Sequence, residues 1–208
     1  MPDAPAYFKW NPASERYIAP SGRYVSRAAV RASLDSVLDQ QMERVRALSQ
    51  DLVAGDLSLS GWREAMVISI KVAHLEGASV ARGGWLQLTS PDYTWVTQRI
   101  RDQLGYLQRF HDDLAYGRIS LDGTVASRAA MYVEAGRATQ REMERRMAGA
   151  RGEELEKNIG GDSASSCGEC SDCGQAGWVP LGTLPAVGSR TCLSRCRCYL
   201  RFKMGIIG

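Results

Sequence analysis

Cys167-Gly-Glu-Cys170-Ser-Asp-Cys173 and Cys192-Leu-Ser-Arg-Cys196-Arg-Cys198 hold every cysteine of the chain, and residues 1–166 hold none. Two tight clusters on either side of a glycine- and proline-rich stretch can converge to offer four thiolates to a metal. Disulfides are the rival reading for a small module, and six cysteines allow fifteen pairings among which spacing does not choose. Between the clusters, Gly177-Trp178-Val-Pro180 and Gly182-Thr-Leu-Pro185 imply tight turns or short strands, and Tyr199-Leu-Arg-Phe202 alternates as a last strand. Residues 167–208 thus read as a cysteine-rich module. The polar stretch 153–166, ending in Gly160-Gly161-Asp-Ser-Ala-Ser-Ser166, reads as a flexible linker.

Residues 24–152 read as long helices. From Ser26, apolar residues at Val30, Leu34, Val37, Leu38, Val45, Leu48 and Leu52 form one stripe that stops at Gly55. Ser58 is placed to cap a second helix, with Leu57 and Trp62 at staple spacing, and Gly83-Gly84 ends it. Ser90-Pro91-Asp92 reads as a capping serine, an early proline and a first-turn acid opening a third helix that ends at Gly117. Gly117-Arg-Ile-Ser120-Leu121 then echoes Gly55-Asp-Leu-Ser58-Leu59, predicting a fourth helix from Leu121 to Ala150. The fold class is mainly α: an antiparallel bundle of about four long helices carrying a small turn and short-strand module.

Residues 1–23 have prolines and aromatics without a period and read as an extended arm. Tyr7, Phe8 and Trp10 are its candidate partner contacts, ordered by docking rather than by local structure. The opening residues lack the apolar core of a secretory signal, and Ala65-Met-Val-Ile-Ser-Ile70 is too short to span a membrane. A reducing cytosol is the expected compartment, where clustered cysteines favour metal over disulfide. A net charge of +3 gives no global case for wrapping nucleic acid.

The preferred ligand quartet is Cys170, Cys173, Cys196 and Cys198, with Cys192 and then Cys167 as alternates. Four thiolates close a tetrahedral zinc site and leave no position for water, so the expected zinc is structural. Arg195 and Arg197 flank the second cluster, where they can lower thiol pKa values or meet an anionic partner. His74 and His111 both fall in helical segments. No phosphate loop, Gly-x-Ser-x-Gly elbow or His-Glu-x-x-His helix is present, so the sequence offers little support for an enzyme.

Cys170-Ser-Asp-Cys173, Gly177-Trp-Val-Pro-Leu-Gly-Thr-Leu-Pro185 and Cys192-Leu-Ser-Arg-Cys196-Arg-Cys198-Tyr-Leu together resemble the C-terminal end of tailed-bacteriophage minor head, or head-morphogenesis, proteins of the Mu type. Arg82-Gly-Gly84 and the Tyr106–Phe110 segment extend a looser likeness into the helices. Ser194-Arg195 stands where that family often has a histidine, and Cys167 is an addition. The resemblance implies a virion structural protein, made in the bacterial cytoplasm and placed in the head. Its expected partners are portal or major capsid protein, with self-association a further option. Two alternatives go with it: a shell decoration or cement protein, and a zinc-module nucleic-acid-binding assembly factor.

Overall fold

A computed structural model describes residues 8–11, 14, 16–160, 167–192, 196 and 198–205. As the sequence implies, the body is helical and a small cysteine module follows it. Helix α1 (Arg27–Ala54) begins where Ser26 Oγ accepts a hydrogen bond from Ala29 N–H. It stops at Gly55, whose φ of 86° lies in the left-handed region that glycine tolerates. Helix α2 (Leu59–Arg82) repeats the device with Ser58 and Gly83.

Helices α3 (Ser90–Ala115) and α4 (Thr124–Ala150) start differently from expectation. Ser90 is the first helical residue and Thr89 is the cap. Asp92 accepts from Thr89 N–H at 2.9 Å and Thr89 Oγ1–H at 2.7 Å, while Arg82 Nε donates to the same oxygen at 2.7 Å. A carboxylate anchored from both sides holds the chain turn one residue earlier than a serine hydroxyl can. Ser120 does not cap α4 either. Asp122 takes the Thr124 N–H and Oγ1–H at 2.8 and 2.7 Å, which delays the helix from Leu121 to Thr124. The echo of Gly55–Leu59 in Gly117–Leu121 therefore stops at the glycine.

Helix α2 is central and packs on the other three long helices, whereas α3 leans on α2 and scarcely touches α4. Trp62 Nε1 donates to Ser49 Oγ at 3.0 Å beside the α1–α2 turn, and Trp62 meets Phe110 of α3 edge-on at 5.7 Å. The tightest crossing joins α2 to α4. A Cβ on Gly77 would run into the Gly136 carbonyl oxygen, and one on Gly136 would lie 2.6 Å from Ala73 O. Ala73 faces Gly136 while Gly77 faces Gln140, so these two helices run parallel. On the far side of α4, Arg137 reaches α1 through Asp35 at 2.7 Å and Asp39 at 3.3 Å. Leu34, Leu38, Trp62, Met66, Ile70, Leu107, Phe110 and Met143 fill the core between them. Each such side chain contributes about 1.5–3 kcal/mol by leaving water.

The stretch read as an extended arm has local structure of its own. Strands β1 (Lys9–Asn11), β2 (Arg16–Ile18) and β3 (Tyr24–Val25) form an antiparallel meander. Trp10 pairs with Tyr17 in register and edge-on at 5.0 Å, and Tyr17 Oη–H donates to Ala81 O at 3.1 Å. Gly83 lets this sheet lie directly on the end of α2, since a Cβ there would strike the Trp10 backbone.

The stretch read as a linker also differs. Leu155–Ile159 is a strand, β4, and it is the middle strand of a second antiparallel sheet between β5 (Val179–Pro180) and β6 (Tyr199–Lys203). Residues 161–166 lie outside the described residues. Glu156 and Asn158 made β4 look solvated, yet both are buried with partners: Glu156 on Arg145 and Leu184 N–H, Asn158 on Arg190 and Cys170 O. The sheet is tied to the bundle by that Arg145–Glu156 ion pair at 2.9 Å.

Candidate metal centre

The first cysteine cluster forms a short helix, α5 (Gly168–Gln175). Cys170 and Cys173, three residues apart, lie on its inner side, and Cys167 sits at its N-cap position. Cys196 and Cys198 come from the approach to β6, and Cys192 from the preceding turn. Glu169 accepts from both the Thr191 N–H and the Thr191 Oγ1–H, the latter at 2.6 Å, which fastens that turn to α5. From the bundle side, Arg141 Nη1 donates to Cys196 O at 2.7 Å.

All six cysteines are free thiols in the structure. Cys170 is the hub, with its Sγ 3.5 Å from Cys192 Sγ and 3.6 Å from Cys196 Sγ. The sulfurs of Cys167, Cys170 and Cys192 lie within 4.8 Å of one another, and so do those of Cys170, Cys196 and Cys198. Of the quartet preferred from the sequence, Cys170, Cys196 and Cys198 are brought together. Cys173 is buried beside them but belongs to neither triad, and both alternates, Cys192 and Cys167, join Cys170.

The donor set fits a soft metal. Zinc–sulfur bonds of about 2.3 Å place the sulfurs of a tetrahedron about 3.8 Å apart, close to the spacings around Cys170. Thiolates favour zinc or iron over magnesium or calcium. Burial pushes the Cys170 thiol far up, Cys173 up and Cys192 up to about 12, so a metal must displace their protons to bind. Burial also raises Cys196, but hydrogen bonds from the Cys198 backbone and from Cys192 and Cys170 outweigh it and bring Cys196 down. The Cys170 backbone N–H leads the effects that lower Cys167 to about 7.

Arg190 was invisible to sequence reasoning as a site residue. It is 2% exposed, with Nη1 2.8 Å from Asn158 Oδ1 and 3.7 Å from Cys170 Sγ, and Nη2 donates to Pro185 O at 3.0 Å. A buried guanidinium against sulfur offsets the negative charge that four thiolates leave on a divalent ion. A single arginine in a Gly-Ser-Arg-Thr turn carries no such signal.

The other candidates fall elsewhere. Tyr7, Arg195 and Arg197 lie outside the described residues. Phe8 is half-buried. Trp10 is buried between Tyr17, Arg27 and Arg151, which occupy the faces a partner would need. His74 pairs with Thr139 Oγ1 at 2.6 Å in the core and His111 with Asp112 at 3.1 Å, both within the helical body. No helix among the described residues is long and apolar enough to cross a membrane. Compared with protein-family models, curated proteins and solved structures, the chain matches none.

Proposed function

We propose that this chain is a structural protein of a tailed-bacteriophage head, a minor head protein that binds portal or major capsid protein during assembly. Zinc, held by thiolates of the terminal module, acts structurally and not as a catalyst. The observation that carries the reading is the terminal module itself: cysteine clusters of the order found in head-morphogenesis proteins, with four further sulfurs gathered around that of Cys170. A small module locked by metal keeps its shape without a large core, which suits a component built into a particle.

A surface suited to a partner lies between α3 and α4, where the two helices stand apart. This cleft of about 730 Å³ is lined by Arg99, Arg109 and Arg128 over an apolar floor that includes Met131, Ala135 and Val187. The three guanidiniums stack over Trp95, Tyr106 and Phe110, and among the described residues none is in an ion pair. An acidic amphipathic segment of another head protein complements it in charge and polarity.

The test is quantitative mass spectrometry of purified virions, counting this chain against major capsid protein. On the order of a dozen copies, as for a ring at one vertex, supports a portal-proximal minor head protein. Hundreds of copies make it a decoration or cement protein. Absence from virions overturns the structural role and leaves the assembly-factor alternative.

A further inference from the structure

We propose that the six cysteines hold two metal ions, not one, as a binuclear thiolate cluster bridged by Cys170 and Cys196. Cys167 and Cys192 complete the first tetrahedron, and Cys173 and Cys198 complete the second. The inference rests on the metal-binding reading of the module given above.

The sequence has the required parity: each cluster is a triple, and the proposed bridges are the middle members, Cys170 and Cys196. The first members of the triples, Cys167 and Cys192, go to one ion, and the third members, Cys173 and Cys198, to the other. The geometry has the matching shape, because the two sulfur triads share Cys170 and extend from it to different partners. One holds Cys167 and Cys192, the other Cys196 and Cys198. A single tetrahedral ion seats four sulfurs, yet Cys170 gathers five including itself.

Two ions sharing two thiolates require those sulfurs to form a common edge of both tetrahedra, at about 3.8 Å for bonds of zinc length. Cys170 and Cys196 stand 3.6 Å apart. Cys192 lies 3.5 Å from Cys170, at one end of that edge, and forms the first triad there with Cys167. Cys198 approaches the same edge with the second triad. Cys173 is 7% exposed on the inner side of α5 and within electrostatic reach of Cys198 and Arg190, and it is the thiol left to close the second ion.

Two divalent ions and six thiolates leave a double negative charge in a buried place, which needs a cation close by. Arg190 supplies it with Nη1 toward Cys170 Sγ, and its charge couples to Cys173, Cys170 and Cys196, which are both bridges and a ligand of the second ion. The class of metal is a soft divalent ion, zinc first, and cadmium serves as its spectroscopic probe.

The experiment is elemental analysis of the full-length protein purified in the presence of zinc, followed by cadmium-113 exchange and NMR. Two zinc ions per chain and two cadmium resonances are expected. One ion per chain overturns the binuclear cluster and leaves the single-ion reading standing; no bound metal in a folded chain overturns both. Cys173→Ser is the sharper variant, because a single site built on Cys167, Cys170, Cys192 and Cys196 does not use this residue. Its metal content is expected to fall by half, with helical circular dichroism showing that the bundle has folded. Undiminished metal in that variant overturns the ligand assignment.

Discussion

His74 carries a pH response that its position in α2 creates. Burial, followed by the charge of Arg99, lowers its pKa from 6.5 to about 4. Between those values the unfolded chain binds a proton that the native protein excludes. Stability is therefore full above about pH 6.5 and falls as pH drops toward 4, by roughly 3 kcal/mol for this residue. Urea unfolding at pH 7 and pH 4.5 should show that loss in the parent and not in His74→Gln, which keeps a polar partner for Thr139 but does not titrate. An equal loss in both proteins would exclude His74 as the source. Glu156 poses a different problem: it is fully buried, and its charge is tolerated only through Arg145 and the Leu184 N–H. Glu156→Ala leaves Arg145 with only Glu142 at 3.5 Å and the Leu184 carbonyl, and should cost up to about 3 kcal/mol, measured by chemical denaturation. A double replacement that makes the pair apolar should recover most of it.

Among the elements, the α2–α4 crossing depends on hydrogen atoms at two positions. Alanine is the better helix former, by about 1 kcal/mol. At Gly77 or Gly136, however, the added methyl meets a backbone carbonyl that cannot swing aside. Overpacking wins, and each Gly→Ala change should lower stability by about 1–3 kcal/mol. Gly105 is the internal comparison, since a Cβ there meets nothing within 4 Å. Gly105→Ala should therefore stabilise α3 by up to about 1 kcal/mol in the same thermal melts. At the start of α3, Asp92→Ala removes both the cap and the Arg82 contact, and it should cost about 1–2 kcal/mol.

For the whole molecule, the two ends of the chain are stabilised in unlike ways. The helical body has a continuous apolar core. The terminal module has only a small cluster of Leu184, Val187 and Leu200 around its thiols. Removing metal with a strong chelator should expose all six cysteines to alkylation, counted by mass, and lower the melting temperature. The helical circular dichroism of the bundle should remain. Thiols that stay protected after chelation would show that packing, not metal, holds the module closed.

Helix boundaries at Ser26, Gly55, Ser58 and Gly83 could be read from the chain because caps and stop glycines act within one turn. Cysteine spacing likewise pointed to a thiol cluster able to hold a metal ion, since thiolate chemistry is local to each cluster. Which residues joined it was not legible. Cys173, favoured by spacing, belongs to neither triad, while Cys167, the most dispensable, lies against Cys170. Glu156 and Asn158 looked like linker residues because burial of a polar group depends on partners far along the chain. Arg190 was hidden for the same reason. The parallel pairing of α2 with α4 rests on Gly77 meeting Gly136, which helical periodicity alone does not encode. Short-range chemistry therefore determined the elements, and only tertiary structure decided which of them touch. Close approach and desolvation are properties of pairs of surfaces, not of either segment alone.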